Sequence, residues 1–553
     1  MKVAGRFPGG GVGTKLPVRA YSSGCFDGFS SGGGGMTRWI RPTWQAVLAA
    51  VVAGAGSPVG AQVVQERLDL DALRKIRDEG MNRSQALVTA GYLADVIGPR
   101  PQGSTAVKQA NQWTARQLEQ WGLANVTVEP WGTWGRGWER VRYSANITKP
   151  YPQPLVGQPM AWSGSTKGLV KGPVVLLDAT DSASFQKYRG TLKGKYVLLG
   201  EPPKVQQNFY IEPWPFLAME DPPRRRRFSQ EDLENPNLKP DFAWSPLATR
   251  LERRKAGDRY ADLVRQLKAE DIAALIVCSP MPYGIIRVMA VPGWQDVRQA
   301  KDGEPIPAVV VTLEQFGQMY RNVKRGIPVE IEASIQNRFV TDDSLGYNTL
   351  AEVPGTDLAD QFVMFGGHLD SWHAGTGATD NAAGVAIGME ALRILKATGL
   401  KPRRTIRLGI WTSEEGRHLG VAGWIARHRE LWPRISVYLN VDNGAGRLRG
   451  LWTQSNPYMA PIFHQIFTPV RDLGVSAIKD GNVGGNEHQD FDDVGIPGFT
   501  YLQDPLEYVL RTHHTNADTF ERLIEDDLKQ AAIVLAWTAY TVANRDEMIP
   551  RKR

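Results

Sequence analysis

Residues 362–384 read FVMFGGHLDSWHAGTGATDNAAG. An apolar run, 362–365, is followed at once by two histidines, two aspartates and a series of glycines. A continuous apolar run is typical of a strand whose two faces are both covered by helices, as in a parallel sheet. In open α/β sheets, ligands bind in the crevice beyond the carboxyl ends of the strands. The stretch therefore predicts a buried strand with a functional site at its end.

From residue 347 onward, the chain alternates between strand patterns and helix patterns. Strands are predicted at 361–367, 404–412, 435–441 and 498–502. Helices are predicted at 382–397, 418–430, 457–473 and 523–543. Such alternation is typical of βαβ units. The predicted fold class is therefore α/β, with a doubly wound, mainly parallel sheet.

The residues before this region have a different sequence pattern. Residues 62–151 begin with a helical pattern over 67–124, which is interrupted where Gly and Pro cluster. Residues 152–337 contain short apolar runs separated by Gly, Pro and Lys, and this pattern predicts a small β-rich module. The catalytic region would then be 338–545, followed by a C-terminal tail at 546–553.

The first 61 residues do not have the pattern of a folded domain. Residues 1–35 are rich in Gly and Ser, and Met36 begins a stretch with two arginines, an apolar segment and small residues ending at Ala61. That order is the layout of a secretory signal peptide, and the apolar segment is short for a membrane span. We predict a signal peptide over about 36–61, with Met36 as the true start, and a secreted or periplasmic protein. The alternative is a disordered extension before a membrane anchor.

The basic character of the chain is concentrated in this leader. Residues 1–61 hold six basic residues and one acidic residue, so their removal lowers the net charge from +7 to +2. A nearly neutral remainder gives no reason to expect a nucleic-acid partner. The four arginines at 224–227 have no aromatic residues between them and are interpreted as a solvated loop. Cys278 is then the one remaining cysteine, which excludes an internal disulfide.

Titratable side chains follow several of the predicted strands or precede the last helix. They are His368, Asp370, Glu414, Glu415, Asp442 and His514. Because a parallel sheet places the carboxyl ends of its strands along one edge, we expect these side chains to converge there. Imidazole and carboxylate ligands without a thiolate suit zinc, or less specifically manganese or cobalt. The sequence therefore predicts a metal site at this edge.

The number of candidate ligands favours two metal ions over one. A single catalytic zinc uses about three protein ligands, whereas two ions roughly 3.5–4 Å apart can share one carboxylate and hold a hydrolytic water. Asp380 lies in a glycine-bordered turn before a helix and is the natural bridge, although a simple helix N-cap is the alternative. Of the adjacent residues Glu414 and Glu415, one can bind metal while the other takes the proton of the water as general base. Two surface glutamates at a helix start are the alternative here.

Five motifs resemble the M28 family of co-catalytic zinc exopeptidases over about residues 345–545. They are GGHLDS at 366–371, GATDNAAG at 377–384, WTSEE at 411–415, NVD at 440–442 and HTNADT at 514–519. The resemblance implies two zinc ions per chain, with Glu414 as the general base. The implied ligands are His368 and Asp442 for one zinc, Glu415 and His514 for the other, and Asp380 as the bridge.

The same resemblance implies roles for residues around the ligands. Asp370 and Asp518 would orient the two histidines through hydrogen bonds. The Asp380–Asn381 peptide bond would be cis. Tyr508 is a candidate donor to the oxyanion of the tetrahedral intermediate, with core packing as the alternative.

Two further regions bear on the comparison with this family. Residues 152–337 resemble the protease-associated domain that is inserted in carboxypeptidase Q-like and glutamate-carboxypeptidase-like members. Residues 484–491, GGNEHQDF, depart from the Ser-Asp-His that relatives often carry at this place. His488 within them is interpreted as either a substrate-facing or a structural residue.

The remaining histidines are weaker candidates. His513 competes with His514, but the His-Thr-x-x-Asp-Thr spacing favours His514. His373 lies in the motif loop and is assigned no role. The last three, His418, His428 and His464, occupy helical positions where surface or core placement is usual.

These observations predict a secreted di-zinc exopeptidase acting on short peptides, with aminopeptidase activity preferred and carboxypeptidase or dipeptidase activity as the alternative. A lone carboxylate near the metals would hold a substrate amine, whereas an arginine or lysine cluster would hold a carboxylate. A one-zinc glutaminyl-cyclase-like transferase and a non-catalytic receptor-like protein are the remaining alternatives. No nucleic-acid partner and no stable membrane anchor are expected.

Overall fold

Two eight-stranded sheets carry the fold of the residues that the computed structural model describes, 65–179, 181–204, 227–239, 247–300 and 303–552. The signal peptide predicted at 36–61 and arginines 224–226 lie outside these residues. Among the described helices, none is both long and apolar enough to cross a bilayer.

Strands and helices are numbered in chain order. The strands are β1 Ala124–Thr133, β2 Gly137–Lys149, β3 Gln153–Pro154, β4 Gly157–Pro159, β5 Val170–Leu177, β6 Tyr196–Leu199, β7 Ala274–Cys278, β8 Ala308–Val311, β9 Glu330–Val340, β10 Leu345–Val353, β11 Leu358–His368, β12 Arg404–Trp411, β13 Ile435–Asn440, β14 Leu448–Trp452, β15 Ala477–Lys479 and β16 Gly498–Gln503. The helices are α1 Leu70–Asn82, α2 Ala86–Gly91, α3 Thr105–Gln120, α4 Ser182–Phe185, α5 Gln230–Glu234, α6 Leu247–Ala269, α7 Trp294–Gln299, α8 Leu313–Lys324, α9 Ala383–Ala397, α10 Leu419–Arg427, α11 Ala460–Phe467, α12 His488–Asp493 and α13 Glu525–Ala543.

The first sheet has the strand order β1-β10-β12-β11-β13-β16-β14-β15. Its four central strands, β12, β11, β13 and β16, are parallel, and they are the four strands predicted from the sequence. Gly366 of β11 sits opposite Gly409 of β12, where an added Cβ would lie 1.8 Å from the Gly409 carbonyl oxygen. The α/β prediction is confirmed. Antiparallel pairings, which were not predicted, occur at β1, β10 and β14 on the two sides.

Helices cover both faces of this sheet, as expected for a doubly wound fold. Helices α1, α9 and α13 pack on one face, and nearly all of α9 and α13 is buried because their apolar residues surround the helix. Helices α10 and α12 pack on the other face around Trp411 and Tyr438. The predicted helix at 457–473 is shorter, since α11 is flanked by tight turns that contain Pro457 and Pro469.

The second sheet has the order β3-β2-β9-β5-β6-β7-β8-β4, with parallel pairing from β5 to β8. It extends from β2 to β9, so β2 precedes the boundary predicted at residue 152. The direct passage from β9 to β10 brings the chain back into the first sheet. Cys278 ends β7 half-buried, and burial raises the pKa of its thiol to about 12.

Candidate metal centre

The carboxyl ends of the central strands bring the candidate ligands together. His368 is the last residue of β11 and pairs in register with Trp411, the last residue of β12. Glu414 and Glu415 follow β12 after two residues, and Asp442 follows β13 after one. Parallel strands in register thus end side by side, and the turns that follow them supply the carboxylates.

His368 is buried and faces two carboxylates with one ring nitrogen. Its Nε2 lies 3.2 Å from Asp380 Oδ1 and 3.2 Å from Asp442 Oδ1. Its Nδ1 donates to the Asp370 carbonyl oxygen at 2.9 Å, and the Asp370 carboxylate is farther away at 3.7 Å. A proton on Nδ1 leaves Nε2 free to bind a cation. Burial lowers the pKa of His368, but the charges of Asp442 and Glu414 outweigh it and raise that pKa well above its usual value.

His514 makes the corresponding contacts on the opposite side of Asp380. Its Nε2 lies 3.0 Å from Glu415 Oε2 and 3.3 Å from Asp380 Oδ2. His513 Nε2 is farther, 3.9 Å from Asp380 Oδ2, and its Nδ1 lies 2.7 Å from an Arg287 Nη2 donor. The geometry therefore favours His514 over His513 as a ligand. Burial and the neighbouring His513 lower the pKa of His514 well below its usual value.

Asp380 lies between the two histidines and directs one oxygen at each. The Asp380–Asn381 bond is cis, as the resemblance implied. Burial raises the pKa of Asp380, but the hydrogen bond from His368 and the charge of His514 outweigh burial. The pKa is therefore below its usual value, and the group is ionised. The N-cap alternative is wrong, because its side chain caps no helix and faces the histidines instead.

Glu414 approaches the cluster from the turn after β12. Its Oε2 lies 3.9 Å from His368 Nε2, and its backbone N–H donates to Asp370 Oδ1 at 3.2 Å. Asp370 is completely buried. It therefore links the His368 ring, through its carbonyl, to the Glu414 backbone, through its carboxylate.

Asp518 does not orient His514, contrary to the role that the resemblance implied. Its carboxylate accepts hydrogen bonds from the Thr379 N–H at 2.6 Å, the Thr379 hydroxyl at 2.8 Å and the Asp380 N–H at 3.2 Å. His514 Nδ1 has no hydrogen-bond partner among the described residues. Asp518 instead fixes the backbone that carries the Asp380 carboxylate.

The donor set fits divalent metal ions. His368, Asp380 and Asp442 form one group of ligand atoms within 4.8 Å of one another, and Asp380, His513 and His514 form a second. Within the described residues, Asp380 Oδ2 and Glu415 Oε1 lack hydrogen-bond partners although both are buried. Burial raises the pKa of Asp442 to about 7, and burial with the Asp380 charge raises that of Glu415 well above its usual value. Buried carboxylates crowded in this way are stabilised by cations.

Residues 484–491 lie against the same cluster. The Asn486 amide donates to the Asp442 carbonyl oxygen at 2.8 Å. Glu487 is completely buried, neither of its oxygens has a hydrogen-bond partner in the described part of the chain, and burial with the Asp442 charge raises its pKa to about 8. His488 is structural: it is buried and accepts a hydrogen bond from the Gln454 amide at 2.6 Å.

Tyr508 and an aromatic cleft border the cluster. The Tyr508 ring lies 5.1 Å from the His513 ring, and burial with the Asp380 charge raises its pKa well above 10, so the phenol keeps its proton. A narrow cleft beside Glu415 is lined by four tryptophans, which come from loops of the first sheet and from the segment of the second sheet. They are Trp134, Trp162, Trp294 and Trp372.

Arg100, which sequence reasoning did not single out, fixes the loop between His368 and Asp380. Its completely buried guanidinium donates to five backbone carbonyls, three of them in this loop. They belong to Leu93, Gly98, Leu369, Thr376 and Gly377. Burial lowers the pKa of Arg100 to about 10, so it stays charged at neutral pH.

Replacing Arg100 with methionine is expected to lower the free energy of unfolding by about 3 kcal/mol or more, because buried carbonyls lose their donor. Denaturant unfolding of the full chain measures this. The exposed Arg321→Met on α8 is the control and should change stability by no more than about 0.5 kcal/mol. Equal stability of the two variants would contradict the role of Arg100.

Comparison with known proteins places this geometry among peptidases. The sequence model of Peptidase family M28 matches residues 348–539. Carboxypeptidase Q from Mus musculus is 26% identical over 474 residues, which cover 85% of this chain and 88% of that protein. An M28 peptidase precursor from Shewanella amazonensis superposes with a TM-score of 0.63 at 23% identity, over 87% of this chain and 98% of that one. A zinc aminopeptidase from Bacillus subtilis gives a TM-score of 0.52 at 17% identity, over 82% and 94%.

The α/β fold, the histidine–carboxylate cluster and these matches define the chain as a metallopeptidase, a hydrolase of peptide bonds. Residues 348–539 match peptidase family M28, and the similarity to carboxypeptidase Q over most of the chain supports an exopeptidase of that family.

Proposed function

We propose that the chain is a secreted di-zinc exopeptidase that hydrolyses terminal peptide bonds of short peptides. The observation that carries the proposal is the Asp380 carboxylate, which directs one oxygen at His368 and the other at His514. Each histidine also faces a second carboxylate, Asp442 or Glu415. His368 and Asp442 would hold one zinc, His514 and Glu415 the other, and Asp380 would bridge them.

Zinc ions held by these residues would polarise the scissile carbonyl as Lewis acids and lower the pKa of the attacking water. Glu414 takes the proton of that water as it attacks the carbonyl carbon, and gives the proton to the leaving amine when the C–N bond breaks. The protonated Tyr508 phenol is the proposed donor to the oxyanion. Asp370 holds the Glu414 backbone and the His368 ring in register for these steps.

Metal analysis tests the two-ion proposal directly. We expect about two zinc ions per chain, activity lost on chelation and activity restored by added zinc. One zinc per chain would instead favour the glutaminyl-cyclase-like alternative. Full metal occupancy without turnover of any dipeptide would contradict the exopeptidase proposal.

One observation supports the carboxypeptidase or dipeptidase alternative over the aminopeptidase. Arg287, from the segment between β7 and β8, brings a half-buried guanidinium to within 2.7 Å of His513. Among the described residues, no carboxylate lies within 4.0 Å of it. A guanidinium at this place could bind the free C-terminal carboxylate of a peptide. The curated relatives named carboxypeptidase Q agree with this alternative.

Substitution of Arg287 by glutamine is expected to lower kcat/KM for dipeptides by about 10- to 100-fold, the value of one hydrogen bond to a charged group. Dipeptide amides, which lack the carboxylate, should be cleaved equally by both enzymes. The measurement is the ratio of kcat/KM for each dipeptide and its amide. If Arg287→Gln had the same ratio as the native enzyme, aminopeptidase activity would again be the preferred interpretation.

Two proposals concern the rest of the chain. The signal peptide over about 36–61 predicts a mature protein that begins near Gln62, and N-terminal sequencing of secreted material would reveal it. We also propose that the second sheet is a protease-associated-like module, with β2 added to the predicted range 152–337.

A further inference from the structure

A carboxylate–imidazole–carboxylate chain lies behind the proposed general base. His418 Nε2 lies 3.2 Å from Glu414 Oε1, and His418 Nδ1 lies 2.8 Å from Asp490 Oδ2. The side chain of His418 is 20% exposed, and those of Glu414 and Asp490 are 11% and 22% exposed. Sequence reasoning assigned His418 no role, because it lies at a predicted helical position where surface or core placement is usual.

The backbone around His418 is unusual and brings the ring to Glu414. The N–H groups of Arg417 and His418 both donate to the Glu414 carbonyl, which closes a tight turn before α10. Arg417 and His418 have φ angles of 84° and 57°, a left-handed conformation that non-glycine residues rarely adopt. Such conformations persist where the surrounding structure fixes them, and they cluster at functional sites.

The third member, Asp490, comes from the segment that departs from the family pattern. It lies on α12, which packs beside α10. Asn486, two residues before this helix, donates to the Asp442 carbonyl oxygen. Residues 484–491 therefore contact the cluster at two points, through the Asp442 backbone and through His418. This gives the departure a structural reason that the sequence did not show.

We propose that His418 is a positioning residue: it holds Oε1 of Glu414 so that Oε2 faces the ligand cluster, and Asp490 fixes the ring of His418. The inference rests on the proposed function, since it assigns His418 to the residue proposed as general base. Oε2 is the oxygen of Glu414 that lies 3.9 Å from His368 Nε2. With one oxygen tethered, the carboxylate meets the attacking water in a single orientation.

Charge around His418 supports this arrangement. Both ring nitrogens face carboxylate oxygens, so each needs a hydrogen to donate, which is the imidazolium form. Burial lowers the pKa of His418, but the hydrogen bonds to Asp490 and Glu414 outweigh it and raise that pKa well above 6.5. Burial has the largest effect on the pKa of the neighbouring Glu487 and His488, and the charge of His418 lowers the pKa of both.

The test compares His418→Gln and Asp490→Asn with the native enzyme, as full-length zinc-loaded protein on a dipeptide substrate. His428→Gln, at the other end of α10, and Asp492→Asn, on α12, are the matched controls. We expect His418→Gln to lower kcat by about 10- to 100-fold with KM nearly unchanged, the usual range for a residue that orients a reacting group. Zinc content should remain that of the native enzyme, and Asp490→Asn should lower kcat by a smaller factor. Both controls should retain native kcat.

A double variant separates this inference from a general loss of structure. In a Glu414→Gln background, His418→Gln should cause no further loss, because His418 acts through Glu414. A further loss there, or a native kcat for His418→Gln, would overturn the inference while the proposed function stands. A fully active Glu414→Gln would instead overturn the proposed role of Glu414. Equal loss of kcat in His428→Gln would also count against a specific role for His418.

Discussion

Replacing Glu414 with glutamine is expected to lower kcat by about 10²- to 10⁴-fold, the contribution of a general acid–base residue. Glutamine keeps the shape and the contact with His418, but it cannot accept the proton of the attacking water. Steady-state kinetics on dipeptides gives kcat, and elemental analysis gives the zinc content, which should not change.

Glu415→Gln provides the contrast to this result. Its oxygen lies 3.0 Å from His514 Nε2, so we expect this variant to lose zinc as well as activity. If Glu414→Gln lost zinc and Glu415→Gln kept it, the two roles would be reversed. Native kcat in Glu414→Gln would remove Glu414 from the mechanism.

The second large effect is expected for Asp380→Asn. Because its carboxylate faces both histidines, its loss should weaken both metal sites, by more than the roughly 10- to 100-fold that indirect partners of a metal contribute. Isothermal titration of the metal-free protein with zinc measures both affinities. Activity at limiting zinc should fall in parallel.

Asp442→Asn is the matched control for this prediction. Of the two candidate histidines, Asp442 faces only His368. Its replacement should therefore weaken one zinc site and leave the affinity of the other near that of the native protein. Two native affinities in Asp380→Asn would show that Asp380 does not bridge. Loss of both sites in Asp442→Asn would show instead that the two sites bind as one unit.

Much of this site could be predicted because its residues lie at positions that local patterns mark. His368, Glu414, Glu415 and Asp442 each follow an apolar run, and a parallel sheet brings such positions to one edge. The register of the strands also brings these positions together, because β11 and β12 end at paired residues, His368 and Trp411. The prediction of convergence needed no knowledge of loop conformation.

The contacts that were missed depend on loop conformation and on pairs remote in sequence. Asp518 accepts hydrogen bonds from residues 379 and 380, which are about 140 positions earlier, so no local pattern reveals its partner. The partners of Arg100 are backbone carbonyls. Every residue has a backbone carbonyl, so the amino-acid sequence does not show which residues accept these hydrogen bonds. His418 reaches Glu414 through two left-handed residues, which a helical reading of that segment does not allow.

The edges of the sheet were missed for a different reason. Strand β1 precedes the strand–helix alternation and β10 lies at its start. Both pair antiparallel, so the βαβ pattern does not predict them. Strand β14 is short and lies between the strand predicted at 435–441 and the helix predicted at 457–473, where no strand was predicted. Edge strands of this kind are defined by their neighbours more than by their own sequence.

The pairing of residues 286–288 with 514–516 limits how this enzyme could be shortened. The Asn516 N–H donates to the Ile286 carbonyl, and the Val288 N–H donates to the His514 carbonyl. The loop that carries His514 is therefore held by a strand-like segment that lies more than 200 positions earlier in the chain. A minimal peptidase cut to residues 348–539 would lack that scaffold. Residues 286–288 are therefore constrained by the backbone that carries His514, and changes there would disturb the position of this histidine.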